Sequence, residues 1–261
     1  MMSASTSVDG PRELAGLTAV VTGSSSGIGR AIALELAAGG ANCLVHGHRN
    51  RQGAEQTAAE VAALGVASLV HLADMADADA CQKLIDAAWQ WQGGVDIWVN
   101  NAGADVLSPP QSELSADDKL DLLLRTDVAG TFRLSRAIGE RMKHRGRGAI
   151  VNIGWDQAET GMDGDSGQMF AAAKGAIAAF TRSLAKTLAP EVRAVCVAPG
   201  WIKTSWGDQA SEYWQHRAQS ESLAGRWGTP QDVARVVRFV ASPQSDYINC
   251  QTIAVNGGLA K

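Results

Sequence analysis

A chain of 261 residues, 46% of them hydrophobic, can bury a large core and suits one α/β domain better than two small ones. Its formal net charge of −4 excludes a global attraction to nucleic acid or to an anionic membrane surface, and no apolar run approaches the roughly 20 residues that span a bilayer. Four cysteines, Cys43, Cys81, Cys196 and Cys250, lack CxxC or metal-ligand spacing, which fits reduced thiols in a cytoplasmic protein and predicts no metal site.

The opening "MMSASTSVDGPREL" lacks the apolar centre of a signal peptide, and residues 1–13 are expected to form a flexible tail ahead of a single domain at 14–261. "TAVVTG" (18–23) then reads as a first strand that runs directly into a glycine turn and a helix through Ala38. Gly23 permits the tight turn, Gly27 lets the backbone approach a pyrophosphate, and Gly29 allows close helix packing. Ser25, Ser26 and Ile28 complete the turn, where free N–H groups at a helix start face a phosphate.

The second strand, "NCLVHG" (42–47), ends in "HGHRN". A carboxylate at this point would accept hydrogen bonds from a free ribose 2′-hydroxyl, whereas a 2′-phosphate needs cationic donors. The chain offers His48, Arg49 and Asn50 and no acid until Glu55, which favours NADP(H) over NAD(H). A solvated surface role for Arg49 is the alternative.

Further along, "SLVHLA" (68–73), "DIWVNNAG" (96–103), "AIVNIG" (149–154), "RAVCVAPG" (193–200) and "QTIAVNGG" (251–258) read as strands buried on both faces. Helical patterns lie between them at 52–64, 78–91, 119–143 and 170–189. The basic run "KHRGRG" (143–148) reads as a solvated turn. Strand and helix alternating in this way imply parallel strands with crossover helices on both faces, a single doubly wound, Rossmann-like sheet.

With these elements in place, "TGSSSGIG" (22–29), "NNAG" (100–103), "APGWIKT" (198–204) and "VNGG" (255–258) resemble, in order, the landmarks of the short-chain dehydrogenases/reductases. The resemblance covers nearly the whole chain from Leu14. It implies a nicotinamide dinucleotide along the carboxyl ends of the strands, with Asn100, Ala102 and Gly103 beside it and Asp74 at the adenine edge. Pro199, Gly200 and Ile202 would also contact it, and Thr204 would lie near the carboxamide.

In that family a Tyr-x-x-x-Lys pair on a long helix, a serine after the fifth strand and an asparagine on the preceding helix carry the chemistry. Aligned with "GQMFAAAKG" (167–175), Lys174 falls on the lysine and Phe170 on the tyrosine. "VNIGWDQAETG" puts Trp155 at the serine with Asp156 beside it, and "LLRTDVAGTF" puts Asp127 at the asparagine. Residues four apart share a helix face, so Phe170 is expected to point into the site with Lys174.

Two readings stay open. One is a catalytically degenerate dinucleotide-binding protein, a sensor or an assembly partner. The other is altered chemistry: hydride transfer to or from a planar small molecule with a C=N bond, an iminium or pterin-like heteroaromatic, which needs no proton from a tyrosine. Trp155 and Phe170 would stack on the ring, and Asp156 or Asp127 would hold a charged nitrogen. Pteridine and dihydrofolate reductases of the family are a partial parallel, since they resemble "HGHRN" and use an aspartate in the serine region but keep the tyrosine. Asp156 reads equally well as a cap or turn residue.

The segment "GWIKTSWGDQASEYWQHRA" (200–218) matches the family's variable substrate lid. Trp201 and Trp206, with Tyr213 and Trp214, either stack on a planar substrate or pack the lid on its own core or on a neighbouring subunit. Ile177, Phe180, Leu184 and Leu188 recur at helical spacing as a core or interface stripe. By resemblance the chain forms a homo-oligomer, a dimer or tetramer.

Overall fold

The computed structural model describes residues 12–258. Residues 1–11 of the expected tail lie outside the described residues; Glu13 accepts hydrogen bonds from Arg238 Nε and Nη2 at 2.7 and 2.8 Å.

Seven strands form one parallel sheet: β1 (Thr18–Val21), β2 (Asn42–Gly47), β3 (Ser68–Leu72), β4 (Ile97–Asn100), β5 (Gly148–Ile153), β6 (Val192–Pro199) and β7 (Thr252–Val255). Their order is β3-β2-β1-β4-β5-β6-β7, so the chain reverses its winding between β1 and β4. In such a sheet the crevice outside the carboxyl ends of these two strands is where ligands bind. Parallel pairing requires crossovers, supplied by α1 (Gly27–Ala38), α2 (Arg51–Ala63), α3 (Ala78–Gln90), α4 (Ala116–Leu123), α5 (Gly130–Arg145) and α6 (Gly164–Leu188). After β6 come the short α7 (Ser205–Gln209), α8 (Glu212–Glu221) and α9 (Pro230–Ala241).

Because side chains alternate along a strand, each strand feeds two cores. Ala19 and Val21 of β1, with Cys43 and Val45 of β2, pack under α1 and α9. Val20, Leu44 and Trp98 pack on the other face against α3, α5 and α6. The expectation of strands buried on both faces holds for β1, β2, β4, β5 and β6 but not for β3 and β7, whose residues are half-exposed. These two are the sheet edges, where neighbouring elements cover only part of the surface.

The helix expected at 119–143 runs unbroken from 116 to 145 but is not α-helical throughout. Between α4 and α5, residues 124–129 widen into a π turn that carries Asp127. At Gly130, a Cβ would stand 2.9 Å from the Met75 carbonyl, so the helix packs backbone-close against the loop that follows β3. The interface stripe also separates: Ile177, Leu184 and Leu188 are buried core, while Phe180 meets Phe132 at a centroid distance of 4.9 Å. The basic run at 143–148 is not simply solvated, since Arg145 and Arg147 both bond Asp96 Oδ1, at 2.9 and 3.0 Å.

Candidate active site

The first cleft opens over the carboxyl ends of β1, β2 and β4, with a volume of about 590 Å³. Gly23 adopts φ +66°, and a Cβ there would lie 2.8 Å from Ala102 Cα. At Gly29 a Cβ would meet the Gly23 carbonyl at 2.2 Å, so α1 can start against the turn only with glycine here. Gly27, at φ +56°, faces open space, with Thr204 Cγ2 at 3.9 Å as the nearest atom. The first helical bond runs from Arg30 N to Ser26 O, which leaves the earlier N–H groups at the helix start unpaired. Ser25 and Ser26 line the cleft. Free N–H groups, a positive dipole end and no side chain in the way fit a pyrophosphate.

At the other end of this cleft stand His48, Arg49, Asn50 and Asp74. His48 Nε2 is 3.7 Å from Asp74 Oδ2. The Arg49 side chain is exposed and has no partner among the described residues. Asn50 is already engaged, its Oδ1 accepting from Gly53 N at 2.9 Å as the cap of α2.

One correction concerns Asn100. Its side chain does not face the cleft but lies in the core, accepting from Trp98 Nε1 and donating to Ser135 Oγ and Asn152 Oδ1, each at 2.8 Å. Asn152 in turn donates to Thr181 Oγ1 at 2.9 Å, so the network ties β4 and β5 to α5 and α6 beneath the site. The next residue, Asn101, faces the cleft instead, its Nδ2 donating to the carbonyls of Thr22 (3.0 Å) and Gly23 (3.1 Å). Period-two alternation decides which asparagine points where.

A second cavity of about 440 Å³ adjoins the first, sharing Asn101, Gly103, Ala104 and Asp105. Its walls bring together Ile28, Asp127, Trp155, Phe170, Lys174, Pro199, Gly200, Trp201, Ile202, Thr204 and Trp206. The predicted helix face is realised: Phe170 and Lys174 both reach it from α6. Lys174 Nζ lies 2.9 Å from Asp127 Oδ2, and Asp127 Oδ1 accepts from Ala104 N at 2.8 Å. The carboxylate is almost fully buried, so the ion pair and the backbone bond compensate its desolvation. Gly103 is required here because a Cβ would come within 2.7 Å of Asp127 Oδ2.

Trp155 packs against Phe170 in the cavity wall, with ring centroids 6.2 Å apart. Asp156 turns away and is not part of the wall, so it does not take the substrate-facing place expected for it. Its Oδ2 accepts from Asn256 Nδ2 at 3.1 Å, while its buried Oδ1 has no partner. Burial pushes its carboxyl above the ordinary value, against the hydrogen bond from Asn256.

The lid tryptophans pack on one another and also line the cavity. Trp201 and Trp214 (5.5 Å) and Trp206 and Trp214 (6.0 Å) pack on one another, and all three line the cavity. Trp227, outside the expected lid, closes the group at 5.9 Å from Trp201. Arg217 covers it from outside, stacked on Trp214 at 5.3 Å and paired with Glu221 and Asp163 at 2.6 and 3.1 Å.

His46 is a residue that sequence reasoning passed over. Its Nδ1 accepts from Gly23 N at 2.9 Å and its Nε2 donates to Ala73 O at 3.0 Å, which pins the glycine turn to the end of β3. A histidine in an otherwise apolar strand, just before the cofactor-side turn, was the available signal.

Comparison with known proteins gives a consistent result. A family model described as enoyl-(acyl carrier protein) reductase matches residues 23–260. The chain is 35% identical over 246 residues to the 3-oxoacyl-(acyl-carrier-protein) reductase FabG of Staphylococcus aureus (strain Mu50), covering 93% of this chain and 97% of that protein. It is 33% identical over 261 residues to cyclohexanol dehydrogenase of Rhodococcus sp. (strain TK6), covering 94% and 97%. A crystal structure of a short chain dehydrogenase from Burkholderia cenocepacia J2315 in complex with NADP superimposes with a TM-score of 0.85 at 31% identity, over 94% of this chain and 98% of that one.

Proposed function

The chain belongs to the short-chain dehydrogenase/reductase family, and from that premise we propose an NADP(H)-dependent oxidoreductase with an altered active site. Its substrate is a planar molecule with a C=N carbon, an iminium or pterin-like ring, rather than a simple ketone. The observation that carries this reading is Phe170, which stands one turn before Lys174 where the family places its tyrosine. Trp155 occupies the serine position beside it. The sequence has only two tyrosines, Tyr213 and Tyr247, and neither lines the cavity.

A ketone that accepts hydride becomes an alkoxide and requires a proton donor. An iminium ion, in which a carbon is doubly bonded to a fully substituted, positively charged nitrogen, accepts hydride at that carbon and becomes a neutral amine. That hydride would be supplied by the bound reduced cofactor, and no proton moves. Trp155, Phe170 and the lid tryptophans offer ring faces to such a cation. Lys174 is compatible with it because its charge is already paired with Asp127. Phe170 excludes water from the reacting carbon.

For the cofactor, which supplies the hydride when bound, the residues that fit are those of the two clefts. The turn at Ser25, Ser26, Gly27 and Ile28 takes the pyrophosphate, Asp74 the adenine edge, and His48 with Arg49 the 2′-phosphate. Lys174 holds the nicotinamide ribose, Thr204 the carboxamide, and Ala102, Gly103, Pro199, Gly200 and Ile202 the remaining surface. The NADP complex of the related Burkholderia protein supports the choice of phosphate. Residues 14–261 act as one domain of a cytoplasmic homo-oligomer that takes a small molecule, without nucleic acid or membrane.

The test is NADPH oxidation with the 2-methyl-3,4-dihydroisoquinolinium ion beside cyclohexanone. Turnover of the iminium with a rate flat through neutral pH, and none of the ketone, is expected. Robust ketone reduction refutes the reading. The mutual packing of Trp201, Trp206 and Trp214 favours a second one, a dinucleotide-binding sensor or assembly partner, which gains if NADPH binds but no C=N compound is reduced.

A further inference from the structure

The hydride-transfer reading leaves a side-chain hydroxyl of the substrate cavity without a task. Ser166 stands on α6 one turn before Phe170 and two before Lys174, so the three share a helix face, and all three line the cavity. Its hydroxyl is half-buried and has no hydrogen-bond partner among the described residues.

Apart from the indole N–H groups of Trp155, Trp206, Trp214 and Trp227, the last of them buried without a partner, the other polar side chains of the cavity are largely committed elsewhere. Asp127 and Lys174 hold each other. The Asn101 amide donates to Thr22 and Gly23. Asp105 accepts from the N–H groups of Leu107 and Ser108 at 3.0 Å each. The Thr204 hydroxyl is also unpaired, but this side chain lies at the cofactor end, with Cγ2 3.9 Å from where a Cβ on Gly27 would be. The Trp201 indole N–H is used on Glu221 at 2.9 Å. The cavity that Ser166 lines also includes Met162, Phe170 and the lid tryptophans. A free hydroxyl in such a wall marks where a polar atom of the occupant fits.

Four residues separate Ser166 from Phe170, which is about 6 Å along the helix. A serine oxygen stays close to the backbone, so it reaches only a group that comes up against α6 at that level. We infer that Ser166 hydrogen-bonds a polar substituent of the substrate lying about 6 Å from the carbon that takes the hydride. The substrate class is therefore a fused two-ring planar cation with a phenol, amine or carbonyl on the ring remote from the C=N bond. The inference rests on the hydride-acceptor reading for its geometry, but it can be tested by binding alone.

Two probes separate the terms: the 6-hydroxy-2-methyl-3,4-dihydroisoquinolinium ion, whose oxygen lies across the second ring from the reactive carbon, and the parent ion without the hydroxyl. Binding to the enzyme–NADP+ complex is followed by tryptophan fluorescence, and reduction by NADPH consumption. Wild-type protein is expected to bind the hydroxy compound about 5–10-fold more tightly, the yield of one neutral hydrogen bond. Ser166→Ala should bind both alike, with the loss in KM rather than kcat, and Ser166→Thr should keep part of the preference. A Ser166-dependent preference in binding without reduction of either compound sinks the hydride-transfer reading and sustains Ser166 as an anchor. No preference in the wild type, including no binding of either compound, or a preference that survives in Ser166→Ala, overturns the inference.

Discussion

Protonation of His46 should loosen the cofactor-side turn. Its ring is 1% exposed, and the Gly23 N–H that it accepts can only donate, so Nδ1 must be bare and Nε2 must carry the proton. Burial, ahead of the other influences on it, holds its pKa at about 4, against an ordinary value of 6.5. The unfolded chain therefore binds a proton that the folded chain refuses between those two values, and stability is complete above 6.5 and lost as pH falls through 4. A difference of that size corresponds to about 3 kcal/mol. Urea unfolding of the wild type and His46→Gln through this window measures it, because His71, whose burial also lowers its pKa, is common to both proteins. Glu13 and Asp86, held low by Arg238 and Arg141, lose their contributions in the more acid part of the range and are likewise common. The wild type should lose about 3 kcal/mol more than the variant on acidification, and its NADPH affinity should fall in parallel. Parallel stability curves, or a proton-resonance titration of His46 with an ordinary midpoint, would refute the reasoning.

Arg49→Ala should weaken NADPH by about tenfold and leave NADH unchanged, which fluorescence titration of both cofactors checks. Lys174→Ala should cost about 3 kcal/mol or more of stability by stranding the Asp127 carboxylate, and weaken NADPH by about 1.5–3 kcal/mol. The double change Lys174→Met with Asp127→Asn should recover stability in denaturant titrations without recovering cofactor affinity. Phe170→Ala should spare NADPH affinity in calorimetry and impair turnover of the iminium probe. Trp155→Ser combined with Phe170→Tyr should install measurable cyclohexanone reduction, with a rate that depends on pH as proton donation requires; either change alone should do so less well.

Much of this molecule was legible in the chain because short-range physics dictated it. Buried parallel strands must be apolar runs, crossovers must be helices, and a turn where a Cβ would lie 2.8 Å from another backbone atom must be glycine, so the sheet, its winding and the phosphate turn could be read directly. The helix face that joins Phe170 to Lys174 followed from the 3.6-residue period alone. Contacts between distant segments could not be read in this way. That Asp127 would neutralise Lys174 depended on a π turn and on the passage of Gly103 over the carboxylate, neither of which leaves a periodic mark. Which of Asn100 and Asn101 faced the cleft turned on one residue of strand register, and Asp156 was drawn off the cavity by Asn256, a hundred residues away. Trp227 joined the aromatic wall from outside the expected lid, and Ser166 came to line the same cavity, through tertiary contacts that leave no local pattern. Local geometry is encoded within a few residues and is written in pattern; the composition of a cavity is a property of tertiary packing, which no short stretch of chain contains.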